Sequence, residues 1–278
     1  MNNPSKLPDA PFGCRVAAAM RAFPTDFATL LGPEGQALLR GEHPARGALG
    51  RDGRRFVQLP GLLAPAKARG CLALLERHFP ALLRPMESPI PPEATWGMTE
   101  NYAEQLPKAA RVRTALLDSR RARAWRVASR LGLLRLLRSS SFHRLAEQLA
   151  GRPLQRRWGV QLLCYGPGDY AGPHNDHHPE EAGARDGYVD LHLTLCNAAV
   201  GRQLLVYERR GHLSEVAEVA MLGGLNAYRL PFWHYTTPLE PRPGVRGEAR
   251  RWVLLGTFLD ARATASRRAW EARRPGAS

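Results

Sequence analysis

His174 and Asp176 stand two residues apart in the segment YGPGDYAGPHNDHHPEE (165–181). In an extended backbone, residues at i and i+2 emerge on one face, so this pair can offer two adjacent ligands to one metal ion. A third ligand must come from elsewhere in the chain, and His234 in PFWHYTTPL, 60 residues further on, is the natural candidate. Two histidines and one carboxylate on one face of an octahedron form the facial triad of non-heme iron(II), with three positions left for a co-substrate and dioxygen. The same three residues also suit zinc. The His-x-Asp spacing alone is common, and it equally describes a histidine in a polar loop beside a turn-forming aspartate. His177 and His178 are spare histidines nearby, either of which could stand in for His174, while Asn175 points the other way by alternation.

Bringing positions 174 and 234 together requires a fold that returns distant strands to one another, and the second half of the chain has the texture for it. RWGVQLLCY, GYVDLHLTLC, RQLLVYE, SEVAEVAML, LNAYRLP, WHYTTPL and RRWVLLGTFL are short, rich in β-branched and aromatic residues, and separated by Gly, Pro, Asn or Asp. Seven such strands predict a sandwich or barrel. Upstream, RRFVQLPGLL (54–63) reads as a strand and turn, followed by a helix over 64–83. MESPIPPEATWG (86–97) reads as a proline-rich loop. Two further helical regions follow, one over 103–137 broken near Ser119 and Gly132, the other over 141–150 and stopped by Gly151 and Pro153. The expected fold class is mainly β with flanking α-helices, around a double-stranded β-helix (jelly-roll) core. Residues 1–52 are expected as a loosely structured leader. The domain itself would span 53–262, with its helical flank at 64–151 and its core at 155–260, before an Arg/Ala-rich tail at 263–278.

In this setting the order of motifs resembles the 2-oxoglutarate/iron(II)-dependent oxygenases, in particular their prolyl-hydroxylase-like branch. A Tyr- and Gly-rich loop leads into His-x-Asp (CYGPGDYAGPHND), a distal histidine strand follows (WHYTTP), and an arginine opens the last core strand (RRWVLLGTF). RRFVQLPGLLAPAKARGCLALLER and FHRLAEQLAGRPL match the opening strand and helix and the helix that leads into the core. The resemblance implies iron(II) on His174, Asp176 and His234, 2-oxoglutarate as co-substrate, dioxygen, and hydroxylation as the default reaction. It also implies that Arg251 receives the far carboxylate of 2-oxoglutarate, because guanidinium grips carboxylate as a fork. Tyr165, Thr194 and His192 would line the co-substrate's pocket, with core packing as the alternative role for each. The sequence departs from the pattern in two places. Arg251 lies 17 residues beyond His234, so PLEPRPGVRGEA must form an extended turn, and Arg242, Arg246 and Arg250 compete for the role. Val253 stands where the pattern often has Ser or Thr.

Composition narrows the remaining classes. The chain has 278 residues, of which 44% are apolar, enough to bury one good core. It contains no apolar run near the ~20 residues of a membrane span. Four cysteines without a CxxC pair and no signal-peptide pattern fit a reduced, cytoplasmic protein. The net charge of +15 comes almost wholly from arginine, since only Lys6, Lys67 and Lys108 are lysines. Thirteen arginines between 111 and 157 face only Asp118 and Glu147. This segment reads as a solvated helix face or, alternatively, as a surface for nucleic acid or an acidic protein. The expected partner is a small-molecule or peptide substrate. The competing readings are a metal-binding jelly roll that does not turn over 2-oxoglutarate, and a degenerate oxygenase fold used as a basic binding module.

Overall fold

In the computed structural model of the protein, the described residues are 20–89, 109–117, 119–155, 159–176 and 188–259. The first of these belong to the expected leader, yet they are packed tightly. Phe27 and Leu30 of a 3-10 turn and Leu38 of helix α1 (Pro33–Arg40) are fully buried in the main apolar cluster. Strand β1 (Phe56–Leu59) and helix α2 (Pro65–His78) follow the sequence expectation. Pro65 opens α2 where a missing N–H costs nothing, and Ala68, Cys71, Leu74 and Leu75 form its buried face.

Two regions correct the sequence reading. Residues 84–89, partly assigned to a loop, form strand β2 (Arg84–Pro89). Residues 109–115, assigned to a helical region, form strand β3 (Ala109–Ala115), which pairs with β2. The AARVRTA stretch is helix-prone in isolation, and tertiary pairing overrides that weak preference. Helices resume with α3 (Arg123–Arg130) and α4 (Leu133–Leu137), separated at Gly132 as expected. Helix α5 (Ser140–Ala150) is capped by the Ser139 hydroxyl, which accepts the Phe142 N–H at 3.3 Å, and ends at Gly151 with φ 66°.

The remaining strands are β4 (Gly159–Tyr165), β5 (Tyr170–His174), β6 (Tyr188–Cys196), β7 (Val200–Arg202), β8 (Leu204–Arg209), β9 (His212–Glu218), β10 (Leu222–Leu230), β11 (His234–Thr236), β12 (Glu240–Pro241) and β13 (Arg251–Leu259). Strands β5, β7 and β12 lack the run of β-branched and aromatic residues that marks the others. The described chain is mainly β. One eleven-stranded antiparallel sheet runs β1-β10-β6-β13-β4-β3-β5-β11-β8-β9, with β2 alongside β3, and curls into a half-barrel of the jelly-roll type. The small β7–β12 pair stands apart from it, and β12 lies inside the extended turn that precedes β13.

Alternation divides the long strands cleanly. Val189, Leu191, Leu193 and Leu195 of β6, with Trp252, Leu254 and Phe258 of β13, join the cluster under α2 and α5. Asp190, His192, Thr194, Arg251 and Val253 therefore face the other way, into the concave interior. Glu76 of α2 fixes the helical layer to the sheet. Its carboxylate accepts the indole N–H of fully buried Trp252 at 2.8 Å and pairs with Arg250 at 2.7 Å. No helix among the described residues is long and apolar enough to cross a membrane.

Candidate metal centre

His174 is the last residue of β5 and pairs with His234, the first residue of β11. Strand pairing thus closes the 60-residue gap between them. Their rings lie 4.3 Å apart, and one ligand atom from each of His174, Asp176 and His234 falls within 4.8 Å of the others. The Asp176 carboxylate is 3.3 Å from His174 Nε2 and 3.8 Å from His234 Nε2. Asp176 lies beyond the strand end with φ 52°, a left-handed conformation that aspartate tolerates better than most residues. The shared face of His174 and Asp176 therefore arises from a turn, not from strand alternation. Asn175 is buried between them, and its carbonyl accepts the Phe232 N–H at 3.2 Å. His177 and His178 lie outside the described residues.

Both histidines are oriented by their own main chain. His174 Nδ1 donates to the Gly172 carbonyl at 2.7 Å, and His234 Nδ1 donates to the Phe232 carbonyl at 2.6 Å. Each arrangement presents an Nε2 lone pair toward Asp176, the tautomer a metal needs. Burial, with help from the nearby His174, pushes the His234 pKa down to about 3, so this ring is neutral. Burial opposes charge on His174 too, but the Asp176 carboxylate outweighs it and raises the His174 pKa. Burial likewise works against the Asp176 anion, yet His174 and then His234 hold its pKa below the ordinary carboxylate range. Two neutral-capable nitrogens and one ionised carboxylate converging on one point fit the donor set of a divalent metal.

The remaining sequence candidates line the interior beside this cluster. Arg251 sits opposite Tyr165 on β4 and Cys196 on β6, while Val253 sits opposite Thr194 and Leu255 opposite His192. Arg251 is 3% exposed. Its guanidinium lies 4.3 Å from the centre of the Tyr165 ring, and its Nε donates to Gln203 Oε1 at 2.6 Å. Among the described residues no carboxylate pairs with it. A buried cation satisfied by one neutral amide and one ring is incomplete, and an anion presented to its remaining N–H groups would complete it. The competing arginines fall elsewhere. Arg242 and Arg246 are exposed in the turn, and Arg250 points to the helical side, where it meets Glu76 and Glu248.

Among the described residues, Thr194 Oγ1 and His192 Nε2 are buried without a hydrogen-bond partner, as are Asp190 Oδ1 and Asn226 Nδ2 on the same wall. Four such atoms in one patch define a surface made to meet something polar. Sequence reasoning missed Gln203. It is fully buried between β7 and β8, donates to the Asp169 and Thr237 carbonyls at 3.1 and 2.9 Å, and so holds its oxygen toward Arg251. Nothing in RQLLVYE marks it, because its role depends on strands far away in sequence. The GPGD turn before β5 is more legible. Asp169 accepts the Gly166 N–H at 2.7 Å, and Arg113 packs so closely over Gly166 that a side chain there would collide with it.

No protein-family model matches the chain, and no curated protein matches it. Among solved structures it is similar to an oxidoreductase of the 2OG-Fe(II) oxygenase family from Burkholderia pseudomallei. That match has 14% identity and a TM-score of 0.48, over 76% of this chain and 88% of that one. A Pseudomonas putida prolyl-4-hydroxylase matches at 16% identity and TM-score 0.46, over 78% and 98% of the two chains. A Trichoplax adhaerens prolyl hydroxylase, solved with a hypoxia-inducible-factor peptide, matches at 14% identity and TM-score 0.46, over 83% and 94%. None of these likenesses, each below a TM-score of 0.5, fixes a reaction or a substrate for this chain.

Proposed function

We propose that the protein is an iron(II)- and 2-oxoglutarate-dependent oxygenase, a hydroxylase of a small-molecule or peptidyl substrate. The observation that carries this reading is the pairing of two features in one interior: the convergent His174–Asp176–His234 cluster, and a buried Arg251 with no carboxylate partner among the described residues. In this reading the two Nε2 atoms and the Asp176 carboxylate hold the metal. Arg251, steadied by Gln203 and the Tyr165 ring, receives the far carboxylate of 2-oxoglutarate. Thr194 and His192 offer hydrogen bonds along the co-substrate's length. Tyr228 and Phe232, whose rings lie 5.2 and 5.1 Å from that of His234, shield the site from bulk water. Bound there, iron(II) would supply dioxygen activation coupled to oxidative decarboxylation of 2-oxoglutarate to succinate.

A metal site indifferent to 2-oxoglutarate would leave the buried Arg251 charge without a counter-ion among the described residues. A basic binding module would leave the interior cluster without purpose. Several arginines of the 111–157 segment are engaged within the domain: Arg111 donates to the Gly168 carbonyl and Arg113 pairs with Glu248 at 2.7 Å. The test is an anaerobic titration with iron(II) and 2-oxoglutarate, monitored by the visible charge-transfer absorption of the chelated co-substrate. The band is expected in the wild type and absent in His174→Ala. Folded, metal-loaded wild-type protein without the band would remove the proposal.

A further inference from the structure

The domain itself uses only the first arginines of the 111–157 segment. Further along, Arg123, Arg126, Arg130, Arg135 and Arg138 are all exposed, and among the described residues none of them pairs with a carboxylate. Arg126 makes one bond, to the Arg121 carbonyl at 2.7 Å.

Apolar burial decides where these charges stand. Ala124 and Ala128, four residues apart, form the buried face of α3. Arg123, Arg126 and Arg130 fall at i, i+3 and i+7, which the helical period gathers into one stripe on the opposite side. The stripe is about 10 Å long. Gly132, at φ 83°, turns the chain into α4, where Leu133, Leu134, Leu136 and Leu137 are buried and Arg135 is left outward. Between α3, α4 and the start of α5 lies a groove of about 600 Å³. Arg135 and Arg138 line it together with Trp125, Ser129 and the serines 139–141. Trp125 is half-buried, and the Arg120 guanidinium lies 5.9 Å from its ring centre. Asp26 is the one acid among the described lining residues. It is already engaged, accepting the Ala28 N–H at 3.1 Å and the Ser141 hydroxyl.

This face is separate from the metal centre. Leu133 and Leu136 share a cluster with Val189, Leu191, Trp252 and Leu254, so the two helices cover the side of the sheet that faces away from His192, Thr194 and Arg251. A row of like charges with no counter-charge creates a positive potential that a polyanion relieves. Two features favour a nucleic-acid strand over an acidic peptide. The cations recur along a line, and the length of the stripe matches about three phosphates of one strand at ~3.4 Å each. Beside that line the groove carries an indole, and a cationic track with an aromatic wall is the combination that holds single strands without reading their sequence.

We infer that α3 and α4 form a docking surface for single-stranded nucleic acid, with the backbone on the arginine stripe and a base in the groove beside Trp125. The test is fluorescence anisotropy of the full-length protein with labelled oligouridylate and oligothymidylate over a salt series, with poly-L-glutamate as competitor. Saturable binding is expected, with poly-L-glutamate displacing the strand at least about tenfold less effectively than unlabelled oligonucleotide. Arg123→Gln/Arg130→Gln/Arg138→Gln should weaken binding roughly 100-fold at about 0.1 M salt and reduce the slope of log K against log salt by about 2, since each phosphate contact contributes about 0.7. A control with the same change in net charge, Arg54→Gln/Arg202→Gln/Arg246→Gln, substitutes exposed arginines outside the segment and should stay within about threefold of wild type. Trp125→Leu should weaken binding by about tenfold with the slope unchanged. Thermal transitions check that each variant is folded. Tighter binding of either oligonucleotide supports the inference and tells RNA from DNA. Equal losses in the two triple variants assign the attraction to net charge alone and overturn it. Equal competition by poly-L-glutamate makes the face a surface for acidic protein and overturns it too, as do indifference to Trp125→Leu and absence of saturable binding.

Discussion

Replacing Arg251 with methionine removes the charge while keeping most of the apolar stem. In the free protein the change should be nearly neutral. It relieves a buried cation, but it also strands Gln203 Oε1, which now accepts from Arg251 Nε at 2.6 Å, and each of these effects is worth about 1–3 kcal/mol. For 2-oxoglutarate the balance is one-sided. The far carboxylate loses a forked, charge-assisted contact worth about 3 kcal/mol, so binding should weaken roughly 150-fold. Pyruvate, which has the 2-oxo acid but no far carboxylate, serves as the internal control. In iron(II)-loaded protein under anaerobic conditions, titration of the charge-transfer band with both acids, in wild type and Arg251→Met, completes a double-mutant cycle. The variant should bind pyruvate much as the wild type does and should lose its preference for 2-oxoglutarate. If wild type and variant prefer 2-oxoglutarate over pyruvate by the same factor, Arg251 does not hold the far carboxylate and the reasoning fails.

Other consequences can be measured with less effort. Glu76→Ala leaves the indole N–H of buried Trp252 and the Arg250 guanidinium without their shared acceptor. It should cost about 2–3 kcal/mol and lower Tm by roughly 5–10 °C in calorimetry. Gly256→Ala puts a methyl 2.6 Å from Phe142 Cε1, and the overpacking should destabilise the fold by about 1–3 kcal/mol in denaturant titrations. Burial pushes the thiols of Cys71, Cys164 and Cys196 up to about 12. Native protein treated with iodoacetamide at pH 8 should therefore leave these three unmodified by peptide mass mapping, and denatured protein should label at all of them. Because the His174 pKa is raised above its ordinary 6.5, a proton competes with the metal from above that pH. Affinity should fall as pH is lowered, by about tenfold per unit once the ring is charged, with one proton released per metal bound in paired-buffer calorimetry.

The strands of the core were legible because their faces alternate. Val189, Leu191, Leu193 and Leu195 are apolar, and the residues between them are not. The helix expected over 141–150 was legible because Gly151 and Pro153 stop it. Strand β3 was not, since alanine and arginine carry no strand signal and the segment is held by pairing with β2, β4 and β5. Of the candidate site, residue types and order pointed to His174, Asp176, His234 and Arg251, and the fold brings the first three together. The supporting contacts were invisible. Gln203 reaches Arg251 across 48 residues, and the ring stack from Phe56 through Phe232 to His234 joins three strands or turns that no local pattern links. Long-range partners of this kind follow from register, which is fixed only once the sheet has closed.

The way the two histidines are held has a consequence for how such a site changes over generations. In many metal centres the outer partner of a ligand histidine is a side chain, and substituting it retunes or loosens the metal. Here both partners are peptide carbonyls two residues back along the chain, at Gly172 and Phe232. No single amino-acid replacement deletes a peptide carbonyl. The tautomer is therefore inherited with the backbone path rather than with any one side chain. On the proposed reading, the two short segments 172–176 and 232–234 would act as ligand cassettes, set by the pairing of two antiparallel strands.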